Sequence, residues 1–464
     1  MKVTLVSIRP TEAAEEAARP ALTPELLAAT SARYSRSNEG LQNILAKIDP
    51  NNLDKSVDSI FKMIDYGHRS IADMAPISIF MDELSMWLVY YLWTLCPTAG
   101  GQESSTRYIL LSPESITPAT EIGITDSEWQ EHNLKLFQAY EKALHLWEGL
   151  LAADPTLARI PASLLNDSSD KARKAVSRMQ RNYAFDRARY FLPFACRTNV
   201  TMVMAAKYWA DLAHHLLSHP LLEANTLGHL ICQELQLGSP RMIRHATAKE
   251  STAAGMKDEF ESLVALSRSN GHLPNGGSYE HPVNPYLTAY PPTPTSYDFG
   301  RDLAHHENRY AWIGAQLRRT GVRFGWEAVA LAEVRDLNRH RTGNKYCPLN
   351  PVGFYCATDQ VPPQNPNVAK ELTTLARQGY LATKKAKTLL NQNDPCFVYY
   401  MTLGTQVPFE HFTTANQFIY ECELRTGKGS HFRYADHLRE SLRIWYGLFP
   451  ETKGRILEGS AEPE

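Results

Sequence analysis

Between Gly271 and Gly300 the chain carries Pro274, Pro282, Pro285, Pro291, Pro292 and Pro294 among several glycines and tyrosines. Proline fixes φ and lacks the N–H that a helix interior or a central strand requires, so neither element can run through this stretch. Whatever the chain folds into is divided here. The sequence predicts an extended connector over 266–300, held against the body by its aromatic side chains. It separates a first domain, 1–265, from a second, 301–464.

Both sides read mainly as helices with short connections. Segments 129–153 and 200–217 carry apolar residues at helical spacing, and 310–341 and 409–425 read as long amphipathic stretches of the second half. The terminal Gly-Ser-Ala-Glu-Pro-Glu reads as a frayed tail. A length of 464 residues is ample for more than one core, and 43% hydrophobic with 21% charged residues is an ordinary folded composition.

Charge and cysteine usage exclude several classes. Forty-eight basic against fifty acidic residues leave a net charge of −2, which gives no electrostatic footprint for nucleic acid; any anion bound is small and held locally. Cys96, Cys196, Cys232, Cys347, Cys356, Cys396 and Cys422 are scattered without a C-x-x-C pair, so reduced thiols in a cytoplasmic protein are expected. The N-terminal MKVTLVSIRP lacks the apolar core of a secretory signal. The most apolar run, 86–96, is shorter than the roughly 20 residues that span a bilayer, so no membrane partner is expected. His214, His215, His219, His305 and His306 lack an accompanying H-E-x-x-H or carboxylate pattern, which favours structural histidines over metal ligands. There is no G-x-G-x-x-G or P-loop either.

Two short segments carry the chemistry. Gln102-Glu103-Ser104-Ser105-Thr106-Arg107-Tyr108 follows Gly100-Gly101 at the expected end of an apolar helix. Glycines let the backbone turn, and N–H groups beside a serine and an arginine can cradle a phosphate, whose two oxygens match the guanidinium fork. Arg339-His340-Arg341 closes a helix expected to start near Phe324. Two arginines around a histidine suit an anionic or electron-rich partner, or equally the negative end of a helix dipole. The halves overlay at one spacing: Tyr66, Phe80, Glu83 and Leu95 fall opposite Tyr310, Phe324, Glu327 and Arg339, each 244 positions apart.

Together the two segments resemble the flavin-dependent thymidylate synthase (ThyX) family, whose signature R-H-R-x-x-S-x-N-E-x-S-x-R-Y is continuous. Here it is divided. The first half keeps Gln102 to Tyr108 but has Leu95-Cys96-Pro97 in place of R-H-R; the second keeps Arg339-His340-Arg341 without the remainder. Gly67-His68-Arg69-Ser70 resembles the family's G-H-x-S, with Trp312 at that register in the second half. Ala188-Arg189-Tyr190-Phe191-Leu192-Pro193 resembles A-R-x-x-L-P, replaced by Phe397-Val398. Glu423-Leu424-Arg425 resembles the late L-R motif, where the first half has Leu216. Ser35 resembles an early flavin-contacting serine. In two places the chain departs from the pattern: Asp336 stands where the family has a phosphate-facing glutamine, and Gln102 replaces an asparagine.

The resemblance implies an α+β fold of two tandem, diverged domains, each mostly helical around a central antiparallel sheet, forming a pseudo-dimer within one chain. It also implies a homodimer mimicking the family's tetramer, its site assembled from both halves. The implied reaction is C5 methylation of a pyrimidine nucleotide of the dUMP type, with FAD as cofactor and NADPH and methylenetetrahydrofolate as co-substrates. His68, Ser35, Arg339, His340 and Arg341 would then hold the flavin. Gln102, Glu103, Ser105, Arg107, Tyr108, Arg189 and Arg425 would hold the nucleotide, with Arg425 and Glu103 acting in catalysis. A related enzyme alkylating another pyrimidine nucleotide or nucleoside, or an inactive nucleotide- or flavin-binding homologue, stays open.

Overall fold

The computed structural model describes the whole chain except residues 50, 63–68, 108, 110, 275–277, 293–297, 428–429 and 460–464. The described residues form helices and two antiparallel sheets, an α+β fold. They group into two compact units: Met1–Ser105 with Thr117–Thr125 and Arg197–Phe260, and Thr106–Ile116 with Asp126–Cys196 and Glu261–Glu464. These are units of contact, whereas the boundaries at 265 and 300 divide the sequence into successive stretches. No helix among the described residues is long and apolar enough to cross a membrane.

In the first unit strands β1 (Lys2–Leu5), β2 (Pro76–Ser85), β3 (Gly100–Glu103) and β4 (Arg197–Ala205) lie in the order β1-β2-β4-β3. Ser85 ends β2 and caps the Met86–Leu95 helix, its hydroxyl accepting from the Leu88 N–H at 3.0 Å. Its own N–H and hydroxyl donate to the buried Glu223 carboxylate at 2.8 and 2.7 Å, so both donors of Ser85 are met. Gly100 and Gly101 do not end this helix, as the sequence suggested; they begin β3. A Cβ on Gly101 would stand 2.1 Å from the Thr201 carbonyl oxygen and 2.8 Å from the Trp93 ring, so glycine here permits close strand approach rather than a turn.

In the second unit β5 (Pro285–Tyr290), β6 (Gly321–Ala330), β7 (Asn344–Tyr346) and β9 (Thr405–Thr414) lie in the order β5-β6-β9-β7, and β8 (Gly353–Phe354) pairs with β9. The proline-rich stretch thus supplies a strand. It sits at a sheet edge with Pro285 as its first residue, where a missing N–H is tolerated. Helices Trp129–Ala153, Asp170–Ala188 and Pro366–Asn391 pack around this unit's core, which includes the fully buried Trp326 and Trp445.

Three stretches with helical apolar spacing are each a strand running directly into a helix. Segment 200–217 becomes β4 and Ala206–Leu217; 310–341 contains β6 and Leu331–Leu337; 409–425 becomes β9 and Ala415–Arg425. The misreading has a physical source. Phe324, Gly325, Trp326, Ala328, Val329 and Ala330 are all buried, and a strand covered on both faces loses the alternation that identifies it. Arg339 accordingly follows a short helix, Leu331–Leu337, and not one beginning at Phe324.

The two sheets repeat one another in detail. β2 carries a bulge between Met81 and Leu84 against β4, and β6 carries one between Trp326 and Val329 against β9. These positions are 245 apart, so the 244 spacing read from the sequence is one residue out of register along these strands, which would place facing side chains on opposite sides. At β3 and β7 the spacing returns to 244, Gly100 and Asn344 pairing with Val203 and Phe412. Within the second unit Pro193 bridges Thr402, flanked by Phe194 N–H to the Met401 carbonyl at 2.8 Å and Leu403 N–H to the Leu192 carbonyl at 2.9 Å. The bonds are centred on Pro193 and Thr402, which are 209 positions apart, the same spacing that relates β4 to β9.

Candidate functional site

The second unit gathers arginines from both ends of the sequence around two buried carboxylates. The Asp170–Ala188 helix delivers Asp186 and hands the chain to Arg189 and Tyr190 in a short 3-10 turn. The Leu331–Leu337 helix presents Glu333 and Asp336 three residues apart on one face. Its C-cap is Asn338, and Arg339 and His340 follow. Gly343, at φ 73°, lets the chain turn into β7; a Cβ there would meet the Phe412 carbonyl oxygen at 2.2 Å.

Arg107 grips Asp186 with both prongs, Nε to Oδ1 at 2.9 Å and Nη2 to Oδ2 at 2.5 Å. Arg189, 4% exposed, donates through Nη2 to Asp336 Oδ2 at 2.9 Å, and Arg339 Nε stands 3.6 Å from the other oxygen of that carboxylate. Burial alone would push both carboxyls up. Arg107 outweighs it at Asp186, helped by His431 and Arg189, and Arg189 outweighs it at Asp336, helped by Arg339; both are held below the ordinary carboxylate range. His431 Nε2 lies 3.3 Å from the Asp186 carbonyl oxygen and 3.4 Å from the Tyr190 hydroxyl, which donates to Glu333 Oε1 at 2.7 Å.

Beyond Arg339, Arg425 at the end of the Ala415–Arg425 helix donates through Nε to His340 Nε2 at 3.0 Å. Burial pushes His340 down to about 4, so its ring is neutral and accepts this bond. Lys345 Nζ donates to the His340 carbonyl. His411 Nδ1 stands 3.1 Å from a Glu421 carboxylate oxygen. Among the described residues several buried polar atoms here have no hydrogen-bond partner: Arg189 Nε, His431 Nδ1, Asn182 Oδ1 and Asn338 Nδ2. Unmet donors and acceptors in one region fit a polar ligand. Beside them opens a cavity of about 420 Å³ whose lining includes Asn182, Asp186, Arg187, Thr426, Gly427 and Phe432.

Of the residues the sequence nominated, Arg107, Arg189, Arg339, His340 and Arg425 lie in this network, and Arg341 directly follows His340. His68 and Tyr108 lie outside the described residues. Ser35, Gln102, Glu103 and Ser105 belong to the first unit. There Ser35 is an exposed helix C-cap donating to the Ala32 carbonyl at 3.0 Å, while Gln102 and Glu103 pair with Thr201 and Val200 in the sheet. Asp186, Glu333 and His431 were not nominated. Asp186 was within reach, as a carboxylate three residues before Arg189 on one helix shares its face. His431 gives no such local signal.

Burial pushes the Cys96 and Cys396 thiols up to about 12 and raises Cys196, Cys232, Cys356 and Cys422 as well, which leaves these six protonated and unsuited to nucleophilic attack. His306 pairs with Glu423 at 2.8 Å, and His214 is held by the Thr247 carbonyl and the Thr252 hydroxyl. No group of three potential metal ligands forms among the described residues.

The buried histidines set an acid limit on stability. Burial lowers His132, His219 and His340 to about 4, His431 to about 3 and His437 well below the ordinary imidazole value. The unfolded chain takes up these protons first, so the stabilisation present above about pH 6.5 is lost as pH falls towards 4. Glu280 and Glu333, which burial pushes up to about 7, act with opposite sign over nearly the same window. At about 1.4 kcal/mol per pKa unit, five histidines outweigh two carboxyls. The melting temperature should therefore drop between pH 7.5 and 5; a flat or rising profile contradicts neutral buried imidazoles.

The comparisons with known proteins bear on residues 20–240, which match the family model described as "Thymidylate synthase complementing protein". No curated protein matches the chain. One matching solved structure is that of a UMP/dUMP methylase, PolB, from Streptomyces cacaoi bound with 5-Br dUMP, at 15% identity over 53% of this chain and 93% of that one, with a TM-score of 0.31. Residues 20–240, a little under half of the chain, are thus similar to the thymidylate synthase complementing protein family, the flavin-dependent thymidylate synthases.

Proposed function

We propose that the protein is a flavin-dependent methyltransferase acting at C5 of a pyrimidine nucleotide or nucleoside, and that its chain arose by tandem duplication. One observation carries the reading: Arg107 and Arg189, from before the proline-rich stretch, converge with Asp336, Arg339, His340 and Arg425, from after it, inside one compact unit. The duplication is supported by matching bulges, matching strand order and the reciprocal bonds around Pro193 and Thr402. In this reading two chains pair as a dimer in place of a tetramer of single domains.

The residues present suit a flavin. Arg339, neutral His340, Arg341 and Arg425 offer cations and a neutral imidazole to an electron-rich ring, and the unpartnered Asn338 Nδ2 is a further donor. FAD, when bound, supplies hydride transfer, with NADPH and methylenetetrahydrofolate as the reductant and one-carbon source. The protein's part is to orient and to stabilise charge. Arg425, fixed by His340, polarises the pyrimidine as negative charge develops on it, and Arg107 and Arg189 with their carboxylates shape the sugar end. Roles for Ser35, His68, Gln102, Glu103, Ser105 and Tyr108 rest on the motif alone.

Purified protein is expected to be yellow and to release flavin on denaturation. With NADPH and methylenetetrahydrofolate it should release tritium from a pyrimidine labelled at C5. Colourless protein that takes up no FAD refutes the reading; flavin binding without tritium release from any uracil nucleotide or nucleoside leaves a flavin-binding homologue without this activity.

A further inference from the structure

We propose that Asp336 and Asp186 make this site selective for a pyrimidine nucleoside over its 5′-phosphate. The inference rests on the pyrimidine reading above and narrows its substrate class. A phosphate is held by guanidinium edges that nothing else occupies. Here both arginines of the sugar end are already paired, Arg107 through its fork and Arg189 through one prong. The Nε and Nη2 edge of Arg107 lies on the two oxygens of Asp186, and Nη2 of Arg189 lies on Asp336, whose second oxygen faces Arg339. Asp186 and Asp336 are 5% and 8% exposed and ionised, so a phosphate reaching these arginines meets two fixed negative charges that solvent cannot screen.

Displacing a carboxylate to admit the phosphate does not relieve the conflict, because it leaves a buried anion without its partner. Of the cavity's other cations, Arg439 is engaged by Asp436 and the Thr426 carbonyl, and Arg187 by the Tyr183 carbonyl and the rings of Tyr183 and Phe432, while Arg159 is exposed, where solvent and salt screen its charge. What remains unmet is of a different kind. Asn182 Oδ1, lining the cavity beside Asp186, is an acceptor, and Arg189 Nε and His431 Nδ1 each offer one position. An unmet acceptor beside a carboxylate on the cavity lining, with single donor positions behind it, matches sugar hydroxyls, which both donate and accept.

The test is equilibrium binding of 2′-deoxyuridine, uridine, dUMP and UMP to the full-length protein, with inorganic phosphate as competitor. The nucleosides should bind at least about tenfold more tightly than their monophosphates, and phosphate should not displace them. Asp336→Asn should shift the preference towards the monophosphate by about tenfold or more, the effect of removing one fixed charge. Tighter binding of dUMP or UMP by the unaltered protein overturns this inference and leaves the pyrimidine reading standing. Failure of all four ligands to bind overturns both. The unaltered protein decides between these outcomes even if the variant does not fold.

Discussion

Arg189→Leu is expected to lower the free energy of unfolding by about 3–5 kcal/mol, because it strips the partner from an ionised carboxylate that is 8% exposed. The loss belongs mainly to Asp336 left uncompensated, with Arg339 on its other oxygen too distant and too exposed to substitute. The second change therefore matters as much as the first. Adding Asp336→Leu to Arg189→Leu should restore much of the stability, since a pair of buried charges replaced by packed apolar side chains is often close to neutral. Urea unfolding of the two single variants and the double variant gives the coupling directly. Single and double variants of equal stability would mean that this pair carries no structural charge.

Arg425→Gln should reduce turnover by roughly 10²–10³ while changing KM far less, the signature of a donor that matters most when charge has developed on the substrate. Arg425→Lys keeps the charge but not the planar fork that reaches His340 Nε2, and should recover only part of the rate. Because Arg425 is 8% exposed, melting temperatures belong beside the kinetics. A variant that folds normally, keeps its flavin and turns over at the parental rate removes Arg425 from the reaction.

The residues that meet in the arginine–carboxylate network were more legible than the elements that hold them. Arg107, Arg189, Arg339, His340 and Arg425 can be nominated from short motifs, since few residue types make a fork, a neutral acceptor and a cation in one place. Their supports are written differently. A buried strand such as β6 has apolar residues on both faces and passes for helix. The glycines of β3 look like a turn unless the Thr201 carbonyl opposite Gly101 is known. The pairing of Arg107 with Asp186 spans 79 positions and that of Arg189 with Asp336 spans 147, distances at which local spacing carries no information. Asp336 was noticed as a departure from the family pattern. That it is the counter-ion of Arg189 emerges only from three-dimensional proximity.

The chain passes between its two contact units five times, with Asp126–Cys196 returned to the second unit well before the rest of that unit, Glu261–Glu464, is made. During synthesis the Trp129–Ala153 and Asp170–Ala188 helices leave the ribosome some two hundred residues ahead of Pro366–Asn391, against which the first of them packs. At about 5–20 residues per second Trp129 and His132, whose rings meet Tyr400, wait on the order of ten seconds or more for that cover. The second unit thus cannot complete its core until Glu261–Glu464 has been made, and in the interval its earlier helices expose apolar surface open to misassembly.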